Sequence, residues 1–519
     1  VIFSREEDDS MRLNNSIMNF IVKIIPTVLQ LFLNFFIIRV YLSGLGDDVY
    51  GFYQLCTQTI THLTFIEGSV GIAVSYAYFT AFATLEKERI CGLFTGSIKT
   101  LNKIAAFIIV FSVGFILCLP IFNKDANIGF FYSASIFILL LIPFLIDYYI
   151  VLPYKYVIDA DQKGYKVSLY YDVSRLIYMA LGIVIVYFTK NLAISLAVNC
   201  LLTFIAAQMI KNKVKSEYPW LKRQDNPNYS FIRDMIYILP NKISLVITDS
   251  TDVLLITLFL NYTYVTKYSN YNYIALTLTS MISILVYSSF SSLGNFLLKE
   301  TDINRKRNLF YQLNGFLYFL AMFVSTTYFL AVKNFISNWL GESYILPDFT
   351  VGLFALLLFV KISRWAVILT SNAAGLYKET YMTYVIQSIL NIVLSLLLVK
   401  QFEINGLLIA TILATGWFSF VITKIVFKEV YKMKSSTYSI GFAVIILVFI
   451  GYIFGLYQLN EVFGIYTSGN LIGWTLTTVI FAILNGTILF AIFIIFHKQF
   501  REFMMVLYHH MMKILKGRK

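Results

Sequence analysis

A set of ionisable residues lies inside long apolar runs, and their types and spacing define the chemistry open to this chain. Lys361 and Arg364 interrupt Leu358-Phe359-Val360-Lys361-Ile362-Ser363-Arg364-Trp365. They are three apart, hence on one face of a helix. No acid stands beside them in sequence. Either a carboxylate on a neighbouring helix pairs with them, or they line a site for an anionic substrate. Pro240-Asn241-Lys242 places another cation in a run that can bend at the proline. Arg39 closes the first apolar run, where it either snorkels to the surface or joins the same cationic lining. These four, Arg39, Lys242, Lys361 and Arg364, are the candidate substrate-binding residues. Lys23, near the other end of the first run, snorkels more easily.

The acids form the second set. Glu67 and Asp147 sit in mid-run, and Asp249 and Asp252 lie within one turn of each other in the run that holds Lys242. A carboxylate whose pKa rises on burial can bind and release a proton, so these four are candidates for ion coupling. Pairing with one of the cations is the competing reading of each. Asp172 and Arg175, three apart, are expected to neutralise each other.

Catalytic and metal chemistry find no support. Cys56, Cys91, Cys118 and Cys200 have no ligand spacing, and His62, His497, His509 and His510 form no set with them. No catalytic residues, no metal and no cofactor are expected.

The elements that must position these charges are membrane helices. The chain has 519 residues, of which 58% are hydrophobic and 13% charged, with a mean hydropathy of +0.73. That excludes an ordinary soluble protein of this size. The net charge of +13 would suggest nucleic acid in a soluble chain. Here it lies mostly in short loops and reads as membrane topology, with no nucleic-acid partner. Apolar runs occupy 17–42, 49–82, 104–122, 128–152, 168–188, 192–210, 232–260, 271–297, 309–332, 349–371, 381–399, 406–427, 438–457 and 471–496. These predict an all-α integral membrane protein of about fourteen spans, each near the length a bilayer requires. A charge at the centre of such a span costs about 2.5–3.5 kcal/mol, which makes each one a functional candidate by default.

Loop charges test the count. One set of alternate loops carries Lys87/Arg89/Lys99/Lys103, Lys155/Lys163/Lys166, Lys211/Lys213/Lys215/Lys222/Arg223, Lys299/Arg305/Lys306/Arg307, Lys378 and Lys428/Lys432/Lys434. The other set carries only Lys124, Lys190, Lys267, Lys333 and Lys400. By the positive-inside rule both termini are cytoplasmic. No cleavable signal peptide is expected, and Met11 is a candidate start. The segment from His497 to Lys519 mixes Phe500, Phe503, Met504 and Leu507 with Lys498, Arg501, Lys513 and Lys516. It predicts a basic amphipathic helix on the inner leaflet.

The chain also carries a candidate internal repeat. Ala160-Asp161-Gln162-Lys163-Gly164-Tyr165-Lys166 follows the fourth span, and Asn372-Ala373-Ala374-Gly375-Leu376-Tyr377-Lys378 follows the tenth. Each is followed by a span, an outer loop with one lysine, another span and a basic inner loop. The expected organisation is a tail over 1–16, a six-span lobe over 17–215, a linker over 216–231, a second six-span lobe over 232–434, two appended spans over 435–496 and a basic tail over 497–519. Parallel repeats of this kind are a transporter architecture, with substrate between the halves near the midplane.

At this point the residues resemble a family. Arg39-Val40-Tyr41-Leu42-Ser43-Gly44-Leu45-Gly46-Asp47-Asp48-Val49-Tyr50-Gly51-Phe52-Tyr53 resembles the first-turn signature of polysaccharide repeat-unit flippases. Glu67-Gly68-Ser69-Val70-Gly71 is similar to their acidic-Gly-x-x-Gly segment, with Glu where Asp is commoner. Thr251-Asp252 and Trp339-Leu340-Gly341 are similar to further segments of that family. The resemblance implies a bacterial cytoplasmic-membrane protein in the superfamily of multidrug exporters and the lipid II flippase. It implies alternating-access transfer of undecaprenyl-diphosphate-linked oligosaccharide for O-antigen, capsule or exopolysaccharide assembly. The implied partners are that lipid-linked substrate, membrane lipids and polysaccharide-assembly proteins. Arg39 matches the signature by position, whereas Lys242, Lys361 and Arg364 match no motif and rest on their placement alone.

Two other functions stay open. An ion-coupled multidrug exporter would favour an acid-lined cavity, against which Lys361 and Arg364 argue. A membrane glycosyltransferase or polymerase would use an acidic pair such as Asp47-Asp48, but it would also need large outer loops. Asp47-Asp48 reads as a turn.

Overall fold

The computed structural model describes the backbone of residues 2–516 apart from 64, 85, 124–127, 162, 289–292, 294–295, 298–299 and 464–469. The side chains of 2–24, 240–242 and 248–250 are among those left undescribed, so Lys23, Lys242 and Asp249 lie outside the described residues as side chains. The chain is an all-α membrane protein, with no strand among the described residues. Ten helices among them are long and apolar enough to cross a membrane. Some of these carry more than one expected span.

The helices are α1 (Ile2–Leu63), α2 (Phe65–Ala83), α3 (Lys87–Phe122), α4 (Phe130–Ile146), α5 (Leu152–Ala160), α6 (Tyr165–Thr189), α7 (Leu192–Glu217) and α8 (Ile232–Phe259). They continue as α9 (Tyr262–Ser288), α10 (Ile303–Leu340), α11 (Asp348–Ser363), α12 (Trp365–Ala373), α13 (Tyr377–Glu429), α14 (Ser436–Phe463), α15 (Leu471–Phe496) and α16 (Lys498–Lys516).

Breaks between spans are tight. The turn expected at 43–48 falls at Gly46, which takes φ 80° and ψ 172°, and the chain turns back there so that the Tyr41 and Tyr53 rings meet at 5.8 Å. That backbone is open to glycine at no steric cost, which is why the signature carries glycine here. The eleventh and twelfth spans form a tight hairpin within α13, turning at Glu403 with φ 50° and ψ −131° so that Asn391 donates to Thr411 Oγ1 at 2.9 Å across it. The fourth span runs past its expected end at 152 to Ala160, through a π-helical turn at Asp147–Val151.

The chain divides into two compact units, Val1–Thr266 and Lys267–Lys519. In the first, α6 packs against α1 and α7, α4 against α7, and α2 against α8. The Tyr41 and Ser195 hydroxyls meet at 3.1 Å, tying α1 to α7. Hydroxyls within the helices bond back to their own carbonyls, as Thr59 does to Leu55 O at 2.8 Å and Thr95 to Cys91 O at 3.0 Å. Such bonding satisfies these hydroxyls within their own helices. The polar segment after α7 is strapped to α3. The Asn228 amide donates to Gly92 O at 2.9 Å and the Gln224 amide to Thr95 Oγ1 at 2.9 Å.

In the second unit α10 is the hub, touching α11, α12, α14, α15 and α16. Asn485 of α15 donates to Thr326 Oγ1 at 2.8 Å and accepts from Tyr452 Oη at 2.8 Å. Three helices are thereby clasped by one buried amide, the kind of bond that holds helices together where no hydrophobic drive exists. The last two spans are thus fastened to α10 rather than loosely appended.

Candidate functional site

In the first unit the acids gather around the α4–α5 element. Pro153 has no amide to give, and its ring would clash with the carbonyl four residues back in a regular helix. The chain accommodates it with the wide turn at Asp147–Val151, where the Leu152 amide bonds to Asp147 O. Such turns are frequent at functional sites because they re-aim side chains. Here the turn delivers Asp147. Its Oδ2 accepts a hydrogen bond from Tyr171 Oη of α6 at 2.8 Å. Its Oδ1 is buried and has no hydrogen-bond partner among the described residues.

A cavity of about 280 Å³ opens beside it. Asp147, Lys155, Ser168, Tyr171 and Asp172 form its polar wall, and Val151, Leu152, Val167 and Ile210 the apolar one. Lys155, counted with the loop cations from sequence, is in fact on α5 and faces this cavity. Two carboxylates and one ammonium give the lining an acidic balance. A proton or small cation fits that balance better than an anion does.

Glu67 is held by the same element from the other side. Tyr156 Oη of α5 donates to Glu67 Oε1 of α2 at 2.9 Å. A Cβ at Gly71 would stand 3.2 Å from Tyr156 Oη and 3.5 Å from Glu67 Oε1. The glycine in the acidic-Gly-x-x-Gly segment therefore clears room for a tyrosine–carboxylate bond. So α4–α5 is tied to α2 through Tyr156–Glu67 and to α6 through Tyr171–Asp147. Sequence reasoning named both acids and missed both tyrosines, because the chain holds 37 of them and none stands out.

The remaining first-unit candidates are scattered. Arg39 is exposed on α1, shortly before the turn at Gly46. Asp252 is buried in α8, with 2% exposure. Neither lines the Asp147 cavity.

In the second unit the tenth span is interrupted where its cations lie. The helix α11 ends at Ser363, Arg364 takes φ −80° and ψ −8°, and α12 begins at Trp365. Lys361 is half-buried in the last turn of α11, where the helix dipole favours a cation. The Arg364 guanidinium lies over the Phe418 ring of α13, 5.2 Å from its centroid. Cation–π contact of this kind contributes about 0.5–2 kcal/mol and orients the guanidinium plane. The amides of Val367 and Ile368 reach back to Arg364 O at 3.1 and 3.2 Å, so the helix is kinked rather than severed.

Against this geometry stand three comparisons. No family model matches the sequence, and no curated protein matches it. Solved structures do. A lipid II flippase MurJ in an inward closed conformation aligns with a TM-score of 0.62 and 13% identity, covering 93% of this chain and 99% of that one. An inward-facing multidrug resistance MATE family transporter of the MOP superfamily aligns with a TM-score of 0.55 and 11% identity, covering 78% and 96%. A mutant of the Vibrio cholerae MATE transporter VcmN aligns with a TM-score of 0.52 and 14% identity, covering 82% and 99%. At these identities the likeness shows the fold: an all-α, multi-pass membrane fold of the MOP type.

Proposed function

We propose that the chain is an alternating-access flippase that carries a polyprenyl-diphosphate-linked oligosaccharide across the bacterial cytoplasmic membrane for polysaccharide assembly. The single observation that carries this reading is the cationic kink of the tenth span. Lys361 and Arg364 sit at a helix interruption inside an apolar segment, and the guanidinium is oriented by Phe418. An arginine fork matches phosphate oxygens two at a time, and a lysine adds a point charge. Arg39 extends the cationic set on the first span and Lys242 on the seventh. The fold is similar to that of a lipid II flippase. In this reading spans one to six and seven to twelve are two lobes that rock about the substrate, with the last two spans beside the second lobe and both termini cytoplasmic.

A second reading has its own observation. The Asp147 cavity, of about 280 Å³, is lined by two carboxylates and one ammonium. It suits a coupling proton or cation, and in an ion-coupled multidrug exporter it would do the same work. The two readings differ in what the cationic kink is for. Reconstitution decides between them. Vesicles holding the protein are given a fluorescent polyprenyl-diphosphate glycan or a cationic dye. Glycan transfer that fails in Arg364→Ala supports the flippase. Dye export that survives Arg364→Ala, with no glycan transfer, would overturn it.

A further inference from the structure

A cavity of about 610 Å³ lies in the second unit, away from both sites described above. Its wall is made by Arg305, Arg307, Asn308 and Tyr311 at the start of α10, Thr437 in the first turn of α14, and Gln499 in the first turn of α16. The sequence counts these arginines as loop cations, but α10 already begins at Ile303 and presents them from a helix. Their neighbours on the same three segments include Lys432, Lys434, Lys498 and Arg501.

The cavity is preformed. Beneath Tyr311, Phe310 packs on Phe427, Tyr431 and Tyr438 with ring centroids 5.2–5.5 Å apart. Tyr438 Oη donates to Asn314 Oδ1 at 3.0 Å. The Gln499 side is fixed by its neighbour: Phe500 is fully buried against Phe319, 5.1 Å between centroids, and against Phe493 at 5.5 Å. Phe503 adds a contact with Phe316 at 5.1 Å. The first turns of the amphipathic helix α16 are therefore docked on α10, which holds Gln499 at the cavity rim.

The nearby acids are already engaged. Glu300 accepts the amides of Thr301 and Asp302 at 3.0 and 2.9 Å, and Asp302 accepts the Asn304 amide at 2.8 Å. Arg305 approaches Glu300 only to 3.5 Å and Asp302 to 3.9 Å, with 74% of its side chain exposed. An anion could draw both guanidinium forks inward at little cost.

Depth identifies the occupant. The apolar run of α10 starts at Leu309, that of α15 ends at Phe496, and that of α14 starts at Tyr438. All three elements leave the apolar layer at this cavity, so it opens at headgroup level. Tyr311 and Met433 add apolar surface to the same lining. We propose that this cavity binds the phosphate headgroup of an anionic phospholipid, with the arginines and amides on the phosphodiester and the acyl chains in the bilayer. A zwitterionic headgroup would bring its ammonium among these cations and is disfavoured.

The test uses the full-length protein, delipidated in detergent and returned to phosphatidylcholine nanodiscs with graded phosphatidylglycerol. Native mass spectrometry counts retained lipid. The expected result is at least tenfold weaker retention of phosphatidylglycerol by the Arg305→Ala, Arg307→Ala double variant, and an intermediate loss in Arg307→Ala alone. Lys306→Ala, which removes a neighbouring charge outside the cavity wall, should match the wild type. Both arginines are solvent-facing, so thermal unfolding in phosphatidylcholine alone should be unchanged in all variants. Equal retention by the double variant would overturn the proposal. So would an equal loss in Lys306→Ala, which would mean diffuse surface charge. Glycerol phosphate competing as well as the lipid would also overturn it, replacing the lipid with a soluble phosphate ester.

Discussion

Asp147→Asn and Tyr171→Phe together measure whether the buried carboxylate is charged at work. Tyr171 Oη donates to Asp147 Oδ2 at 2.8 Å, and Oδ1 is left without a partner in the described structure. A hydrogen bond to an ionised carboxylate contributes about 1.5–3 kcal/mol, and one between neutral groups about 0.5–1.5 kcal/mol. Tyr171→Phe alone should therefore cost the larger figure if Asp147 is ionised. In the Asp147→Asn background it should cost only the smaller one, since the amide oxygen still accepts. The difference, about 1–2 kcal/mol, is the coupling energy of the cycle, or roughly a 5- to 30-fold change in the unfolding constant. Asp147→Asn by itself should leave the protein as stable or more stable, because it removes a charge that burial penalises by several kcal/mol. Reversible unfolding in mixed micelles at alkaline pH reads all four states. Transport in vesicles, measured beside it, should lose its dependence on the driving ion in Asp147→Asn while the protein remains folded and inserted. Additive costs, within about 0.5 kcal/mol, would show that the carboxylate is neutral where it sits. Unchanged ion dependence would remove Asp147 from coupling altogether.

The other tests are shorter. Gly71→Val should destabilise the protein by about 1–3 kcal/mol through overpacking against Tyr156, and Tyr156→Phe should relieve part of that by removing the crowded Oη; no loss in the unfolding midpoint would contradict the 3.2 Å approach. Arg364→Ala should abolish glycan export at normal protein level in a flippase-deficient strain, and Arg364→Lys should restore only part, since it keeps charge but loses the fork. Full export by Arg364→Ala would end the phosphate role. Cysteines placed at Lys222 and Lys267 and probed in intact cells with an impermeant thiol reagent should label only at 267; labelling at 222 would invert the topology.

How far the sequence carried depended on what each feature needs from distant residues. The spans were legible because apolar length is a local property and a bilayer sets it. The turn at Gly46 was legible, since glycine marks positive φ and polar residues surround it. The kink at Arg364 was not legible. Ile362-Ser363-Arg364-Trp365 contains no glycine or proline, and the break rests on packing around the guanidinium, including Phe418 some fifty residues on. Asp147 was picked out by being an acid in an apolar run. Its tyrosine partner is 24 residues away on another helix, and no spacing rule reaches it. Lys155 was misplaced for a related reason: a basic residue after an apolar run looks like a loop until the helix is seen to continue to Ala160.

The sorting of charge has a consequence for mechanism. The acidic cavity with Asp147 and Asp172 is built wholly from the first unit, and the Lys361–Arg364 kink wholly from the second. A carboxylate and a guanidinium 4 Å apart attract by about 4 kcal/mol at an effective dielectric of 20. Placed together they would neutralise each other, and neither would remain available to a moving ligand. Each instead has a local partner, Tyr171 on Asp147 and the Phe418 ring beside Arg364. The acidic side is also linked across helices. The α4–α5 element is bound to α2 through Tyr156 and to α6 through Tyr171. In the proposed ion-coupled reading, a proton on Asp147 would weaken its bond to Tyr171, and Tyr171→Phe removes that link directly.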